Sequence, residues 1–211
     1  MKSFEKWLTQ EVEDTFGIVQ NYNMSLLNDW LASTSSFTEA ESAFIEEIRL
    51  EMLYNADFWN EDELKMQFIA LLLSIVKYTQ TNKYKPFSQR QLSAVIQNIP
   101  VNGRVEYMLA QGKQIPKQPF FFLHEYKQET KRNSDPKGQL LISMLTAQTL
   151  NEQKFPLYGC FVVGRFWFFV VLENKEYAVS AAFDSSQKDD ILKIISILRN
   201  IKTIIEKRLA E

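Results

Sequence analysis

The spacing of apolar residues changes from a helical period to a period of two after about residue 79. Apolar residues recur at helical spacing in residues 1–55 and again from about 61 to 79. From about residue 92, apolar and polar residues alternate as they do in half-buried strands. A chain of 211 residues is long enough for one substantial domain in which both kinds of element share a core. The predicted apolar stripe of the helix at 61–79 is Met66, Ile69, Leu72, Leu73 and Val76.

The later part of the chain mixes strand-like and helix-like segments. Asn102-Gly103 is typical of a tight hairpin turn and predicts pairing between strands at 92–101 and 104–110. A third strand at 120–127 would complete an antiparallel meander. This order of elements predicts an α/β (α+β) single domain over residues 1–211, with 1–55 as a helical extension. The remaining predicted elements are a helix at 137–150, strands at 158–172 and 177–183, and a helix at 188–210.

The composition excludes several classes of site. The chain has one cysteine, Cys160, and one histidine, His124. These numbers exclude a disulfide framework and an ordinary Cys/His zinc site, and they make a Ser-His-Asp or Cys-His enzyme improbable. The net charge of −2 argues against nonspecific coating of nucleic acid but allows a local basic cleft.

The start of the sequence is charged, and no apolar stretch is long enough to cross a bilayer. We therefore expect a cytoplasmic location and no membrane partner.

Two acids and a lysine in the predicted strands form the candidate site. Alternate residues of a strand share a face, so Glu125 and Lys127 project together from the third strand. Glu106, in the second strand, could join them. Such a set can hold Mg²⁺ or Mn²⁺ through Glu106 and Glu125, while Lys127 orients the attacking water and offsets phosphate charge. The alternatives are a solvent-facing acid at Glu106 and a strand-end ion pair at Glu125 and Lys127, worth at most about 1 kcal/mol.

Glu63 is a candidate acid near the start of the helix at 61–79. It lies three residues before Met66, close to the predicted apolar stripe, while Glu61 and Asp62 are expected to point elsewhere. Asn60 is a good N-cap, and Glu63 at the third helical position would complete a capping box. The two roles of Glu63 can coexist.

The pattern of these residues resembles the PD-(D/E)xK nuclease superfamily. The likeness covers roughly residues 60–183 and implies a restriction-endonuclease-like core, with a mixed sheet flanked by helices, within residues 60–211. It implies a core order of α-β-β-β-α-β, with Glu63 as the first-helix acid, Glu106 and Glu125 as metal ligands and Lys127 as the lysine. Gln139 matches the polar residue often found in the following helix. Two departures are Glu106, where the family usually has Asp, and Val105, where a Pro usually precedes that acid.

The resemblance implies phosphodiester hydrolysis of nucleic acid, with DNA favoured over RNA, in a restriction or defence setting. Five basic residues flank the predicted site in sequence and are candidates for phosphate contacts, although solvated loop residues are the commoner case. They are Lys113, Lys117, Lys131, Arg132 and Lys137.

Two other functions remain open from the sequence. The first is a nuclease-fold protein with weak or no catalysis that binds nucleic acid or protein as a scaffold. The second is a helical interaction module built on residues 1–55 and the C-terminal helix. The apolar stripe of that helix predicts packing on the sheet or, as the lesser alternative, a homodimer seam.

Overall fold

The structure is a computed structural model that describes residues 2–79, 83–128 and 135–210. In this part of the chain, nine strands form one mixed sheet that is flanked by helices, so the predicted α/β class is confirmed. The helices are α1 (Thr9–Phe16), α2 (Ser25–Leu31), α3 (Glu39–Asn55), α4 (Glu61–Leu64), α5 (Ala70–Val76), α6 (Pro136–Leu150) and α7 (Lys188–Ala210). The strands are β1 (Lys2–Ser3), β2 (Val19–Gln20), β3 (Lys85–Ile96), β4 (Ile99–Gln111), β5 (Lys117–Lys127), β6 (Leu157–Val163), β7 (Phe166–Glu173), β8 (Glu176–Val179) and β9 (Phe183–Asp184).

The sheet order explains how distant segments meet. The hydrogen-bonded path is β1-β4-β5-β6-β7-β8-β2, with β3 paired to β4 and β9 paired to β7. Strands β3, β4 and β5 form the predicted antiparallel meander. The chain then crosses through α6 and returns as β6, parallel to β5. A helix between parallel strands is the usual form of such a crossover.

The hairpin turn lies five residues earlier in the chain than predicted. Gln97 and Asn98 make the two-residue loop between β3 and β4, and both have positive φ, at 49° and 66°. Two positive φ values are the mark of a type I′ turn. Gly103 instead lies inside β4, where an added Cβ would sit 2.2 Å from Cγ of Phe4. The absence of a side chain at Gly103 thus allows close packing against Phe4, and the prediction of a turn at Asn102-Gly103 was wrong.

Two predicted strands are each divided in the structure. The segment 158–172 forms β6 and β7, joined by a tight turn in which Gly164 has a φ of 56°. The segment 177–183 likewise contains the end of β8 and the start of β9. The period-two pattern continues through the first turn, so alternation alone did not locate it.

Residues 2–55, predicted to be part of a helical extension, contain three α-helices and also two short strands. β1 pairs in parallel with β4, and β2 pairs in parallel with β8. α3 begins with a capping box, since Thr38 and Glu41 each accept from the other's backbone N–H. The N-terminal segment therefore combines helices with strands of the central sheet.

The helix predicted at 61–79 contains an irregular turn. α4 and α5 are joined by a π-helical segment, Lys65–Ile69, that adds one residue to the turn. This extra residue shifts the apolar face, so that Leu64, Phe68 and Leu72 are buried while Met66 is 74% exposed. Placing Met66 in the apolar stripe was therefore wrong.

The sheet separates two apolar layers. One contains the residues of α2, α3, α5 and α7, and the other contains those of α1 and α6. Residues 138–148 of α6 are all buried, as expected of a helix that is covered on every side. The stripe of α7 is buried inside the chain, so it forms part of the core and not a dimer seam. Among the helices in the described ranges, none has the length and apolar character needed to span a membrane.

Candidate functional site

The site lies at an interruption in the sheet. One edge of β4 pairs with β1 at Val101 and Asn102, and with β5 from Tyr107 onward. Between these two ladders, residues 103–106 have no strand partner on that edge within the described part of the chain. We call this stretch the sheet gap. A gap of this kind leaves room for side chains and ligands between strands that would otherwise be hydrogen-bonded.

The sheet gap places Glu106 and Glu125 opposite each other. The last registered pair of β4 and β5 is Tyr107 with His124, whose rings lie 4.9 Å apart. Glu106 and Glu125 are the next residues on the two strands, and alternation turns both toward the opposite face from the ring pair. The prediction that these two acids lie on neighbouring strands at one site is consistent with this register.

A cavity of about 440 Å³, which we call the site cavity, occupies the sheet gap. β1 and β4 line one side of it, β5 lines the other, and Gln139 contributes from α6. Glu125, Lys127 and Gln139 are 7%, 8% and 4% exposed, so three polar side chains are buried around it. Buried polar groups in one cavity are costly to retain, which makes this the strongest candidate site of the described chain.

Five charged side chains form one network at the site. Lys127 Nζ lies 2.7 Å from Glu125 Oε1 and 3.6 Å from Glu61 Oε2. Lys65 Nζ lies 2.8 Å from Glu61 Oε1 and 2.6 Å from Glu106 Oε2. The network thus runs from β5 through α4 to β4, and it contains one more carboxylate than ammonium groups.

Gln89 supports the network from β3 by donating to Glu106 Oε2. Its φ of 53° places a residue with a side chain in the left-handed region inside a strand. Such strained residues concentrate at functional sites. The distortion therefore marks this part of the hairpin as shaped around Glu106.

The carboxyl group of Glu125 holds its proton more tightly than an ordinary glutamate, so its pKa is raised. Burial raises its pKa from 4.5 to about 7, because the charged form is poorly solvated there. The nearby Lys127 lowers the pKa in part, while the negative charges of Glu106 and Glu61 raise it further. The carboxyl group consequently changes its charge in the neutral pH range.

The two lysines remain protonated in spite of their burial. Burial alone would lower the pKa of Lys127, but the attraction of Glu125, Glu61 and Glu106 outweighs it and the pKa is raised. The pKa of Lys65 is raised in the same way, because its contacts with Glu106 and Glu61 outweigh its desolvation. Both side chains are therefore cations, and each is paired with carboxylates of the network.

The structure places Glu63 away from the network. Its carboxylate accepts a hydrogen bond of 2.8 Å from the backbone N–H of Asn60, and Asn60 Oδ1 accepts from the N–H of Glu63 at 3.0 Å. Glu63 thus serves in the capping box that was the alternative interpretation. Glu61, which the sequence analysis expected to point elsewhere, is the acid of this helix that reaches Lys127. The signal that could have identified it is the pair Glu61 and Lys65, one helical turn apart.

The predicted basic residues that lie in the described ranges, Lys113, Lys117 and Lys137, do not line the cavity. Lys113 and Lys117 lie near the start of β5, and Lys117 is ten residues before Lys127, or about 30 Å along an extended strand. Lys137 turns toward Tyr177, with its Nζ 5.9 Å from the ring centroid. Lys131 and Arg132 lie outside the described residues. The guanidinium group at the cavity is that of Arg104, which was not among the predicted basic residues.

His124 belongs to the core behind the site. It is 1% exposed, and its Nδ1 lies 2.9 Å from the Tyr126 hydroxyl and 3.1 Å from Cys160 Sγ. Burial lowers the pKa of His124 to about 3, so the ring stays neutral. His124 and Cys160 thus contact each other in the core and do not line the site cavity.

The donors at the site suit a hard divalent cation. Mg²⁺ is held in many sites by one or two carboxylates together with water and substrate phosphate. Glu106 and Glu125 offer two such carboxylates in a cavity with excess negative charge. Within the described ranges, no group of three or more His, Cys, Asp or Glu side chains is arranged as a metal site. That result does not test a site built on two carboxylates, so binding of Mg²⁺ stays a prediction.

Neither the models of known protein families nor the curated protein sequences give a match to this chain.

Proposed function

We propose that this chain is a Mg²⁺-dependent nuclease that hydrolyses phosphodiester bonds in nucleic acid at the site cavity. The observation that carries the proposal is that Glu106 and Glu125 follow the last registered pair of β4 and β5 and line one cavity, with Lys127 hydrogen-bonded to Glu125. Two carboxylates, one buried and one partly buried, and a lysine around one cavity are the groups that such a hydrolysis needs.

Each group of the network has a role in this proposal. Glu106 and Glu125 would hold the cation, which when bound acidifies water and offsets phosphate charge. Lys127 would position the attacking water and neutralise charge that develops on the phosphate. Glu61 and Lys65 would keep the carboxylates and ammonium groups in place through their contacts with Glu106 and Lys127.

The order of elements supports the same proposal. A helix that carries Glu61, three meander strands, α6 and the parallel strand β6 follow one another along the chain. This is the α-β-β-β-α-β order that the resemblance to PD-(D/E)xK nucleases implies. In that comparison Glu61 takes the place that the sequence analysis gave to Glu63.

Metal titration of single variants tests the assignment. Wild type should bind Mn²⁺ in calorimetry, with an affinity that rises with pH through about 7 because Glu125 must lose its proton. Glu125→Ala should abolish binding. Lys127→Ala should retain binding and lose cleavage of a labelled oligonucleotide. Glu63→Ala is the matched control, since a capping residue should affect stability alone.

Two results would reject the proposal. Equal Mn²⁺ affinity in wild type and Glu125→Ala would remove the metal site. Undiminished cleavage by Lys127→Ala would remove the role of the lysine.

A second function is favoured by the pairing of Glu106 and Glu125 with lysines in the ion network. Each carboxylate that would bind the cation already has a lysine partner, at 2.6 Å for Glu106 and 2.7 Å for Glu125. A protein that keeps this arrangement with weak or no catalysis would act as a binding scaffold. Binding of nucleic acid without Mn²⁺ binding and without cleavage would support this second function.

A further inference from the structure

A second, larger cavity adjoins the site cavity. It encloses about 620 Å³, a volume within the range of ligand-binding cavities, and we call it the adjoining cavity. Its walls come from the π-helical segment, from α5 and the residues that follow it, and from the three meander strands. The two cavities share Gln89 and Glu106. Alternation turns Tyr107 and Tyr126, which line the adjoining cavity, to the opposite face of the sheet from Glu125. A ligand that occupies both cavities therefore has to pass through the sheet gap beside Glu106.

Three tyrosines line the adjoining cavity, namely Tyr78, Tyr107 and Tyr126. The rings of Tyr78 and Tyr107 lie 6.3 Å apart and are inclined by 45°. Tyr107 is only partly buried, so its ring is available to a ligand. The buried hydroxyl of Tyr78 has no hydrogen-bond partner among the residues that the structure describes. An aromatic wall with an unsatisfied polar atom suits a flat ring that carries polar edges.

Positive charge lies at the border of the same cavity. Lys65 belongs to the cavity wall, where its charge is opposed by its partners Glu61 and Glu106 in the ion network. Lys77 ends α5 in the left-handed conformation, with a φ of 58°, and its exposed side chain also borders the cavity. Apolar walls from Ile69 and Leu73 lie between these cations. The combination fits a ligand with an aromatic body and an anionic attachment, which is the chemistry of a nucleotide.

We propose that the adjoining cavity takes one unpaired nucleobase of the strand whose phosphate lies at the site cavity. This inference rests on the proposed function and adds the class of substrate. A base inside a duplex has its edges paired and its faces stacked, so it enters a cavity only after it leaves the stack. The chain would therefore act on single-stranded or locally unpaired nucleic acid in preference to an intact duplex.

A pair of neighbouring helix positions provides a blocking variant and its control. Ala70 is exposed and lines the adjoining cavity, so Ala70→Trp should fill it without disturbing the core. Leu71 is the next residue, is 36% exposed and is not part of the cavity wall, so Leu71→Trp adds the same ring elsewhere. Circular dichroism of both variants would check that they fold.

The measurement uses a single-stranded oligonucleotide that contains 2-aminopurine, with Ca²⁺ present to prevent turnover. Wild type and Leu71→Trp should change the fluorescence of the probe at one position and bind the single strand more tightly than the matching duplex. Ala70→Trp should lose the fluorescence change and bind about tenfold more weakly, as expected when one base no longer stacks on an aromatic wall.

The outcomes separate this inference from the proposed function. An unchanged fluorescence response in Ala70→Trp, or equal affinity for duplex and single strand, would overturn the inference even if cleavage is observed. A lost response in Ala70→Trp, in a protein that never cleaves, would retain the base-binding cavity and reject the nuclease. Absence of binding to any oligonucleotide would overturn both.

Discussion

Glu125 is a buried carboxyl group whose charge depends on pH in the neutral range. Its pKa of about 7 reflects burial first, with Glu106 and Glu61 adding to the effect and Lys127 opposing it. The sequence predicted that Glu125 and Lys127 share a face, because strand alternation is a local property. It did not predict Glu61, because the capping residue Glu63 and the network residue Glu61 lie in the same first turn. Only the position of the helix against β4 and β5 distinguishes them.

The raised pKa of Glu125 leads to a prediction about stability. A raised folded-state pKa gives stability that is present below about pH 4.5 and is lost as the pH rises through about 7. Glu125→Gln stays neutral at both pH values and keeps this stability. Between pH 4.5 and pH 8, wild type should therefore lose about 3 kcal/mol of its free energy of unfolding relative to the variant. Urea unfolding at both pH values measures the difference.

Glu152→Gln is the control for that experiment. Its carboxylate is exposed and bonded to Lys154, which lowers its pKa, so any pH effect should be small and of the opposite sign. A pH-independent difference between wild type and Glu125→Gln would contradict the pKa of the buried acid.

At the scale of elements, the sequence predicted which segments are strands better than where they turn. Local alternation identified the meander, but the prediction of a turn at Asn102-Gly103 was wrong. Gly103 packs closely against Phe4, a residue far away in sequence, and no local pattern shows that contact. Strands β1 and β2 have two residues each, too few for any period to be detected. The π-helical segment was not predicted either. One added residue rotates the apolar face of the helix, and the sequence alone does not show which surface that face packs against.

The contact between Gly103 and Phe4 can be tested by substitution. Gly103→Ala should lower the free energy of unfolding by about 1 to 3 kcal/mol, because the new methyl group would overlap the Phe4 side chain. In the double variant with Phe4→Ala, the overlap disappears, so the combined loss should be smaller than the sum of the two single losses. Urea unfolding of the four proteins gives the coupling, with Asn102→Ala as the neighbouring control. Strictly additive losses would show that the contact is not made.

At the scale of the whole molecule, one carboxylate connects the N-terminal segment to the core. Asp135 accepts from Thr9 N–H at 2.6 Å and from the Thr9 hydroxyl at 3.0 Å. It also caps α6 by accepting from Gly138 N–H at 2.8 Å. Since α1 and α6 share this residue, the first helix and the central helix should unfold together.

Asp135→Ala should therefore cost about 3 kcal/mol, through a lost cap and newly unsatisfied donors. Asp135→Asn should cost less, because an amide oxygen can still accept at the cap. Far-ultraviolet circular dichroism and tryptophan fluorescence during urea unfolding measure both losses, and in wild type the two signals should change in one transition. Separate transitions in wild type would contradict a single cooperative unit.

The sheet gap has a mechanical consequence. Glu106 belongs to the hairpin of β3 and β4, while Glu125 belongs to β5, which is held by β6 on its other side. The ladder that joins β4 to β5 starts only at Tyr107 and His124. The two acids therefore lie on two strand segments that are joined by the ladder only from the Tyr107 and His124 pair onward. Any bend of the hairpin at that point would change the distance between the two carboxylates, which no backbone ladder within the described strands fixes.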